Sequence, residues 1–164
     1  NELIDRLRLQ ATTNILTRRD VVVVASVSCI YNIGSPQEYE AHTLNIKVGD
    51  LAEWKGITLR LVDLLYDRSE FEFKRGSFRI RGDYMDIYPA YEDIGVRVQS
   101  DGTRITEITR FEPLTGKKLD QNKIDSLTIY PAKHYVTSQE GVEKARRGFE
   151  KEFEHKIKNK KSRK

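Results

Sequence analysis

The sequence is poor in the features that characterise secreted and membrane proteins. Cys29 is its only cysteine, so no internal disulfide can form and a disulfide-rich secreted fold is excluded. No apolar run of roughly 18 or more residues is present, and the opening residues NELIDRLRLQ lack the basic and apolar regions of a signal peptide. We therefore expect a soluble, cytoplasmic protein.

Motifs for catalysis and metal binding are also missing. A phosphate loop of the form GxxxxGK[ST] is absent, so we expect neither a nucleotide site nor catalytic residues in this chain. His42, His134 and His155 show no metal-ligand spacing with one another or with Cys29, so we expect no metal site. The chain is predicted to be non-catalytic by itself.

Positive charge is concentrated at the end of the chain. The formal net charge is +4, but residues 141–164 hold ten Lys and Arg against four Glu, which leaves 19 basic against 21 acidic residues elsewhere. A terminal run of one charge is typically solvated, and a nearly neutral body argues against direct binding of nucleic acid. DNA binding remains an alternative function, and a steep dependence of affinity on salt would reveal it.

The first residues predict part of a larger α/β domain. Apolar residues recur at helical spacing in residues 1–19, at Leu3, Leu7, Ala11, Ile15 and Leu16. The run VVVVASVSCI that follows suits a strand buried on both faces of a parallel sheet. Because no second run of this type appears, we expect residues 1 to about 35 to belong to a domain that is mostly absent from the chain.

The middle of the chain predicts an α+β fold with an antiparallel sheet. TLNIKVGD predicts a half-exposed strand, and LAEWKGITLRLVDLLYDR predicts a helix whose apolar face includes Leu59, Val62, Leu65 and Tyr66. Short alternating runs bounded by Gly and Pro predict the remaining strands: FEF, SFRIR, YMDIYP, GVRVQ, RITEITRF and SLTIYP. A further polar helix is expected to begin near Ser138.

The segment FKRGSFRIRGDYMDIYP, residues 73–89, predicts a β-hairpin. Gly82 and Asp83 fit a two-residue type II′ turn, because glycine at the first central position tolerates the positive φ that this turn requires. The resulting register places apolar pairs on one side of the hairpin, Phe78 with Ile87 and Ile80 with Met85.

The other side of the hairpin is polar. It sets Arg81 opposite Tyr84 and Arg79 opposite Asp86. An ion pair between Arg79 and Asp86 would contribute about 0.2–1 kcal/mol, whereas Arg81 has no acidic partner in this register. Arg and Tyr are enriched at protein interfaces, so this side is either a solvated, ion-paired surface or a protein-binding site.

Four stretches that cover most of the chain carry a resemblance to a known family: VVVVASVSCIYNIGSPQEY, LRLVDLLYDRSEFEFKRGSFRIRGDYMDIYPAYE, RFEPLTGKKL and IYPAKHYVTSQE. They resemble UvrB, the damage-verifying, helicase-related subunit of bacterial nucleotide excision repair. The transcription-repair coupling factor has a related module and is the second alternative, since it is less similar through SVSCIYNIGSP.

The resemblance implies a docking module for UvrA, the damage-sensing ATPase. Residues 1–40 would be a remnant of the first helicase-like domain, 41–135 the UvrA-interaction domain, and 136–164 a helix and basic tail that re-enter the first domain. The module would bind UvrA so that the damage-verification complex is loaded on DNA. ATP, Mg²⁺ and DNA are then expected only for the full-length protein.

The resemblance also identifies candidate binding residues. The family's UvrA-contacting arginines match Arg68, Arg79, Arg81 and Arg97, and the polar side of the hairpin adds Tyr84 and Asp86. A family arginine beside the base of a DNA-clamping hairpin matches Arg8. The sequence departs from the family after Arg97, where RVQSDGTRI stands in place of RVEFFGDEI.

Overall fold

The computed structural model describes residues 2–26, 39, 42–119 and 124–133, and it has the α+β fold that the sequence predicts. The predicted roles of Cys29 and His134 and the helix expected from Ser138 lie outside these residues. The helices are α1 (Glu2–Thr17) and α2 (Trp54–Asp63). The strands are β1 (Leu44–Lys47), β2 (Asp67–Arg68), β3 (Ser77–Arg81), β4 (Tyr84–Tyr88), β5 (Gly95–Ser100), β6 (Ile105–Phe111) and β7 (Ser126–Ile129).

The strands form two sheets. One has five strands in the order β2-β3-β4-β5-β6, with β2 parallel to β3 and the other neighbours antiparallel. The other is an antiparallel pair of β1 and β7. The run FEF, residues 71–73, is not a strand as predicted but part of the loop between β2 and β3.

The predicted hairpin is confirmed. β3 and β4 pair Phe78 with Ile87, Arg79 with Asp86, Ile80 with Met85 and Arg81 with Tyr84. Gly82 has a φ of 60°, and Leu65 is the only non-glycine residue of the described chain with a positive φ, so Asp83 has a negative one. A positive φ at the first central residue alone is the type II′ pattern.

The core lies on the apolar side of the five-stranded sheet. Alternate residues of β3 to β6 are buried there, namely Phe78, Met85, Ile87, Val96, Val98 and Ile108. Leu61 of α2 and Leu64 just after it join the same cluster with Ile46 and Ile129 of the small sheet. Burying each such side chain contributes about 1.5–3 kcal/mol, so this layer fixes the sheet in place.

The predicted apolar face of α2 is wrong. Leu59 and Val62 are 58% and 50% exposed, whereas Leu61 and Leu64 are buried. The segment has apolar residues on two different faces of the helix, and the face that packs against the sheet is the one that is buried. Tyr66 is buried as predicted, but it lies after the helix, on the way into β2.

The structure also differs from the prediction in residues 2–26. α1 forms, but it buries Leu9 and Thr13 and leaves about half of Leu3, Leu7 and Ile15 exposed. Residues 21–26 are not a strand, and Val22 and Val24 are 90% and 95% exposed. A buried strand needs hydrogen-bonding neighbours on both sides, and the described residues provide none for this segment.

Candidate functional site

The other side of the five-stranded sheet carries the predicted binding residues. Strand pairing arranges them in three rows across β3 to β6, and we call the three rows together the arginine face. The rows are Arg81, Tyr84, Gln99 and Glu107; Arg79, Asp86, Arg97 and Thr109; and Ser77, Tyr88, Gly95 and Phe111.

Asp86 lies between two arginines in the middle row. Its Oδ2 accepts hydrogen bonds from Arg79 Nε and Arg97 Nη2, both at 3.0 Å, and its Oδ1 accepts one from Arg97 Nε at 2.7 Å. Arg79 Nη2 lies 2.9 Å from the same Oδ2. The Asp86 side chain is 0% exposed, whereas those of Arg79 and Arg97 are 16% and 25% exposed. The two arginines therefore enclose the carboxylate.

The electrostatics of this row favour the ionised form of Arg97. The hydrogen bond to Asp86 raises the pKa of Arg97 above its ordinary value, and the negative charge of Asp86 adds to this effect against the opposing cost of burial. Two positive charges and one negative charge give the row a net charge of +1. The Arg79 and Arg97 side chains are partly exposed, so the row can accept an anion at their accessible atoms.

Aromatic rings clamp both guanidinium groups. The central carbon of Arg79 lies 4.3 Å from the ring centre of Phe73, and that of Arg97 lies 4.1 Å from the ring centre of Tyr84 and 5.2 Å from that of Phe111. Phe73 and Phe111 are themselves stacked, with ring centres 5.9 Å apart. Such cation–π contacts contribute about 0.5–2 kcal/mol each, more where water is excluded.

The loop between β2 and β3 brings Phe73 to this position. Two serine hydroxyls close the loop: Ser69 Oγ accepts a hydrogen bond from Glu72 N, and Ser77 Oγ accepts one from Lys74 N and donates one to Lys74 O. Ser77 is completely buried at the start of β3. The loop therefore turns back over the sheet and places the Phe73 ring against Arg79 of the middle row and against Tyr88 and Phe111 of the row that begins with Ser77.

Arg81 lies at the rim of this arrangement, whereas Arg68 lies on the edge strand β2, where its pairing with Phe78 places it towards the opposite side of the sheet. Arg81 is exposed beside Tyr84, and no described residue forms an ion pair with it. Arg68 is exposed on the edge strand β2, where its Nε donates to Glu70 Oε1 at 3.0 Å. Both side chains are accessible to a partner, as the sequence analysis requires of binding residues.

Arg8 does not belong to the arginine face. It is half-buried on α1, an element outside the five-stranded sheet. The structure thus brings Arg79, Tyr84, Asp86 and Arg97 into contact and leaves Arg8 in a separate part of the chain.

Sequence reasoning missed the aromatic part of the site. The pattern FEF predicts a strand at Phe73, and the sequence does not indicate that Phe73 and Phe111 contact the arginines. Phe111 was predictable in principle, because in the observed β5–β6 register it faces Gly95 on the same side as Arg97. The position of Phe73 depends on how a loop folds back, and no periodic pattern encodes that.

The described part of the chain offers no other chemistry of note. It contains no cluster of His, Cys, Asp and Glu side chains that could hold a metal ion. None of its helices is long and apolar enough to cross a membrane. What the arginine face can do is bind, through charge and through flat aromatic and guanidinium surfaces.

Comparison with known proteins agrees with the resemblance seen in the sequence. Residues 44–135 match the family model described as the UvrB interaction domain. The chain is 44% identical over 153 residues to UvrABC system protein B of Streptomyces avermitilis, covering 93% of this chain and 21% of that protein. It is 44% identical over 158 residues to the same protein of Methanococcoides burtonii, covering 96% and 24%. For Protochlamydia amoebophila the identity is 47% over 141 residues, covering 85% and 21%.

These relatives are much longer than the chain, which spans between 21% and 24% of their length. The family model itself covers more than half of this chain, and it includes every strand of both sheets. The chain therefore belongs to the UvrB interaction domain family.

Proposed function

We propose that the arginine face, together with the exposed Arg68 on the neighbouring edge strand β2, docks the chain onto UvrA, so that the damage-verification complex of nucleotide excision repair is loaded on DNA. The observation that carries this proposal is the pair of guanidinium groups of Arg79 and Arg97, fixed on aromatic rings with their outer edges open. The match to a family described as an interaction domain supports it.

The composition of the face defines the partner surface. Arg79, Arg81 and Arg97 offer several N–H donors on a rigid sheet, and the acidic group closest to them, Asp86, is buried beneath the arginines. Carboxylates accept such donors in pairs, and charge-assisted hydrogen bonds of this type are about twice as strong as neutral ones. We infer that UvrA presents Asp or Glu side chains to this face.

The exposed rim and the half-buried centre have different roles in this proposal. Arg81 and Arg68 are exposed, so they attract an acidic surface over a distance and set the rate of association. Arg79 and Arg97 become fully desolvated on docking, and truncation of one partner in such a pair costs about 2–5 kcal/mol of binding free energy. The centre therefore supplies most of the lifetime of the complex.

In this proposal, other parts of the longer protein carry its remaining functions. The chain acts as a non-catalytic module, and ATP, Mg²⁺ and DNA are bound by other parts of the full-length UvrB. Absence of a GxxxxGK[ST] loop from the sequence supports this division of labour.

Titration calorimetry with purified UvrA from a related bacterium tests the proposal. We expect the wild-type chain to bind and Arg81→Glu and Arg68→Glu each to weaken binding at least about tenfold, since each replaces an attraction by a repulsion. Arg110→Glu is the matched control, because Arg110 is exposed on β6 but faces the opposite side of the sheet, beside Val96.

Two outcomes of this titration would contradict the proposed docking surface. Equal binding by the wild type and both rim variants, each with an unchanged circular dichroism spectrum, would show that the arginine face is not the docking surface. Loss of binding by Arg110→Glu alone would move the interface to the other side of the sheet.

A further inference from the structure

The burial of Asp86 changes what this residue can do. The sequence predicts that it contacts the partner, but its side chain is 0% exposed and both of its oxygens already accept hydrogen bonds from arginines. A partner cannot reach it without displacing Arg79 or Arg97. Its contribution to binding has to act through those two side chains.

Asp86 holds both arginines by the same edge. Arginine has five N–H donors, and its Nε–Nη2 edge carries two of them. In both Arg79 and Arg97 this edge faces the Asp86 carboxylate, with N–O distances between 2.7 and 3.0 Å. The opposite edge of each group, built around Nη1, is therefore turned away from Asp86, and both side chains remain partly exposed.

The aromatic rings restrict how each guanidinium plane can rotate about its contact with Asp86. The ring centre of Phe73 lies 4.3 Å from the central guanidinium carbon of Arg79, and the ring centre of Tyr84 lies 4.1 Å from that of Arg97. A carboxylate at one edge and a ring against one flat side together set the plane of each group. An arginine that is free in solution would lose rotamer entropy on docking, and an arginine already held in place avoids that loss.

We propose that Asp86 is a positioning residue: it orients Arg79 and Arg97, against Phe73 and Tyr84, so that their outer edges meet the carboxylates of the partner in a fixed geometry. This inference rests on the proposed function, because the partner it invokes is the acidic surface of UvrA. It differs from a direct contact, since Asp86 touches only this chain in the complex as well.

One substitution distinguishes an effect of Asp86 through its charge from an effect through the orientation of the arginines. Asp86→Asn removes a negative charge and raises the net charge of the row by one unit. If Asp86 only weakened the positive field of the face, this variant would bind an acidic partner more tightly. If Asp86 orients the arginines, the variant binds more weakly, because the asparagine amide offers one acceptor oxygen and turns an N–H₂ group towards a guanidinium.

The experiment measures binding kinetics of the wild-type chain and of D86N on immobilised UvrA, at two salt concentrations. We expect D86N to bind at least about tenfold more weakly, with the loss in the dissociation rate and an unchanged or faster association at low salt. D93N is the matched control: Asp93 also contacts two arginines, Arg6 and Arg75, but it lies outside the arginine face. D93N should bind as the wild type does.

A second readout does not require the partner. The Nε–H groups of Arg79 and Arg97 are hydrogen-bonded to Asp86, so each should give a distinct nitrogen–proton NMR signal that exchanges slowly with water. In D86N both signals should lose this protection while the backbone spectrum persists. A D86N variant that is folded and keeps both protected signals would overturn the positioning role.

The outcomes separate the two proposals. Binding by the wild type with equal or tighter binding by folded D86N overturns the positioning role and leaves the docking surface in place. Absence of wild-type binding overturns both. If D86N does not fold, Phe73→Leu replaces it, since leucine keeps an apolar side chain there but removes the ring that orients Arg79; unchanged affinity of that variant would contradict the inference.

Discussion

The ring of Phe111 lies directly over the backbone of Gly95 on the neighbouring strand. The two residues are paired across β5 and β6, and a Cβ placed on Gly95 would lie 2.6 Å from Phe111 Cζ. The same ring stacks on Phe73 and contacts the guanidinium of Arg97. The absent side chain of Gly95 thus makes room for one wall of the candidate binding site.

Gly95→Ala should therefore destabilise the fold and disturb the site together. The added methyl group forces Phe111 out of its position, and overpacking of this kind costs about 1–3 kcal/mol of unfolding free energy. Urea unfolding, followed by the fluorescence of Trp54, the only tryptophan in the sequence, measures the change.

Gly56→Ala is the control for that substitution, and we expect the opposite sign. Gly56 lies inside α2, and a Cβ there would meet its nearest neighbour, Glu53 Oε2, at 3.6 Å, which is an ordinary contact. Gly56 is the third residue of the helix, where alanine is still favoured over glycine, by up to about the 0.5–1 kcal/mol of a helix interior. A destabilising Gly56→Ala, or a neutral Gly95→Ala, would contradict this account of the packing.

The hairpin was predictable because its signals are local. Strict alternation on both sides of Gly82-Asp83 fixes the register, and a slip by one residue would send Phe78 and Met85 to the polar side. The ion pair between Arg79 and Asp86 follows directly from that register. The contact between Arg97 and Asp86 depends on the pairing of β4 with β5. The pattern of the β3–β4 hairpin contains no information about that pairing.

Features that depend on distant contacts were not predictable. α2 has apolar residues at two phases, and only the neighbouring sheet decides that Leu61 is buried and Leu59 exposed. The valines after α1 have a strong intrinsic preference for a strand, but a strand forms only where another strand can pair with it. The position of Phe73 over Arg79 likewise depends on the whole loop.

Thr109→Val should stabilise the protein. Thr109 is buried in the same row as Arg97, and among the described residues its hydroxyl finds no hydrogen-bond partner. An unsatisfied buried hydroxyl costs about 1–3 kcal/mol, and valine has the same shape without the polar atom. We expect the unfolding free energy to rise by about 1 kcal/mol in urea titrations.

Ser77→Ala is the counterpart of that change. The Ser77 hydroxyl is also buried but makes hydrogen bonds to both Lys74 N and Lys74 O. Its removal leaves Lys74 N without this acceptor, although Lys74 O still accepts a hydrogen bond from Ser77 N, so stability should fall by about 1–2 kcal/mol. Equal effects of the two substitutions would show that hydrogen bonding does not distinguish these hydroxyls.

Alkaline pH should weaken the fold through buried tyrosines. Burial raises the pKa of Tyr39 from 10.0 to about 12, although its hydrogen bond with Thr13 lowers it slightly. The unfolded chain therefore releases this proton first, so the stability is complete below about pH 10 and falls as the pH rises towards 12. Unfolding free energies measured across this range should decrease steadily.

Tyr39→Phe separates this residue from the others. The variant cannot ionise at this position, so its stability should fall less steeply with pH than that of the wild type. Part of the fall should persist, because burial also raises the pKa of Tyr66 and of Tyr91. An identical pH dependence of the two proteins would mean that Tyr39 ionises normally in the folded state.

Lysine substitutions should distinguish the centre of the arginine face from its rim. Arg79 places two donors on Asp86 and lies flat on Phe73, and lysine can reproduce neither feature with its single ammonium group. Arg79→Lys should thus lower the unfolding free energy by about 1–3 kcal/mol, since Asp86 is buried and loses hydrogen bonds. Arg81→Lys keeps the charge of an exposed residue and should change stability by less than about 0.5 kcal/mol. If thermal unfolding gave the two variants equal stability, the carboxylate of Asp86 would not depend on Arg79, and the clamped arrangement of the middle row would be wrong.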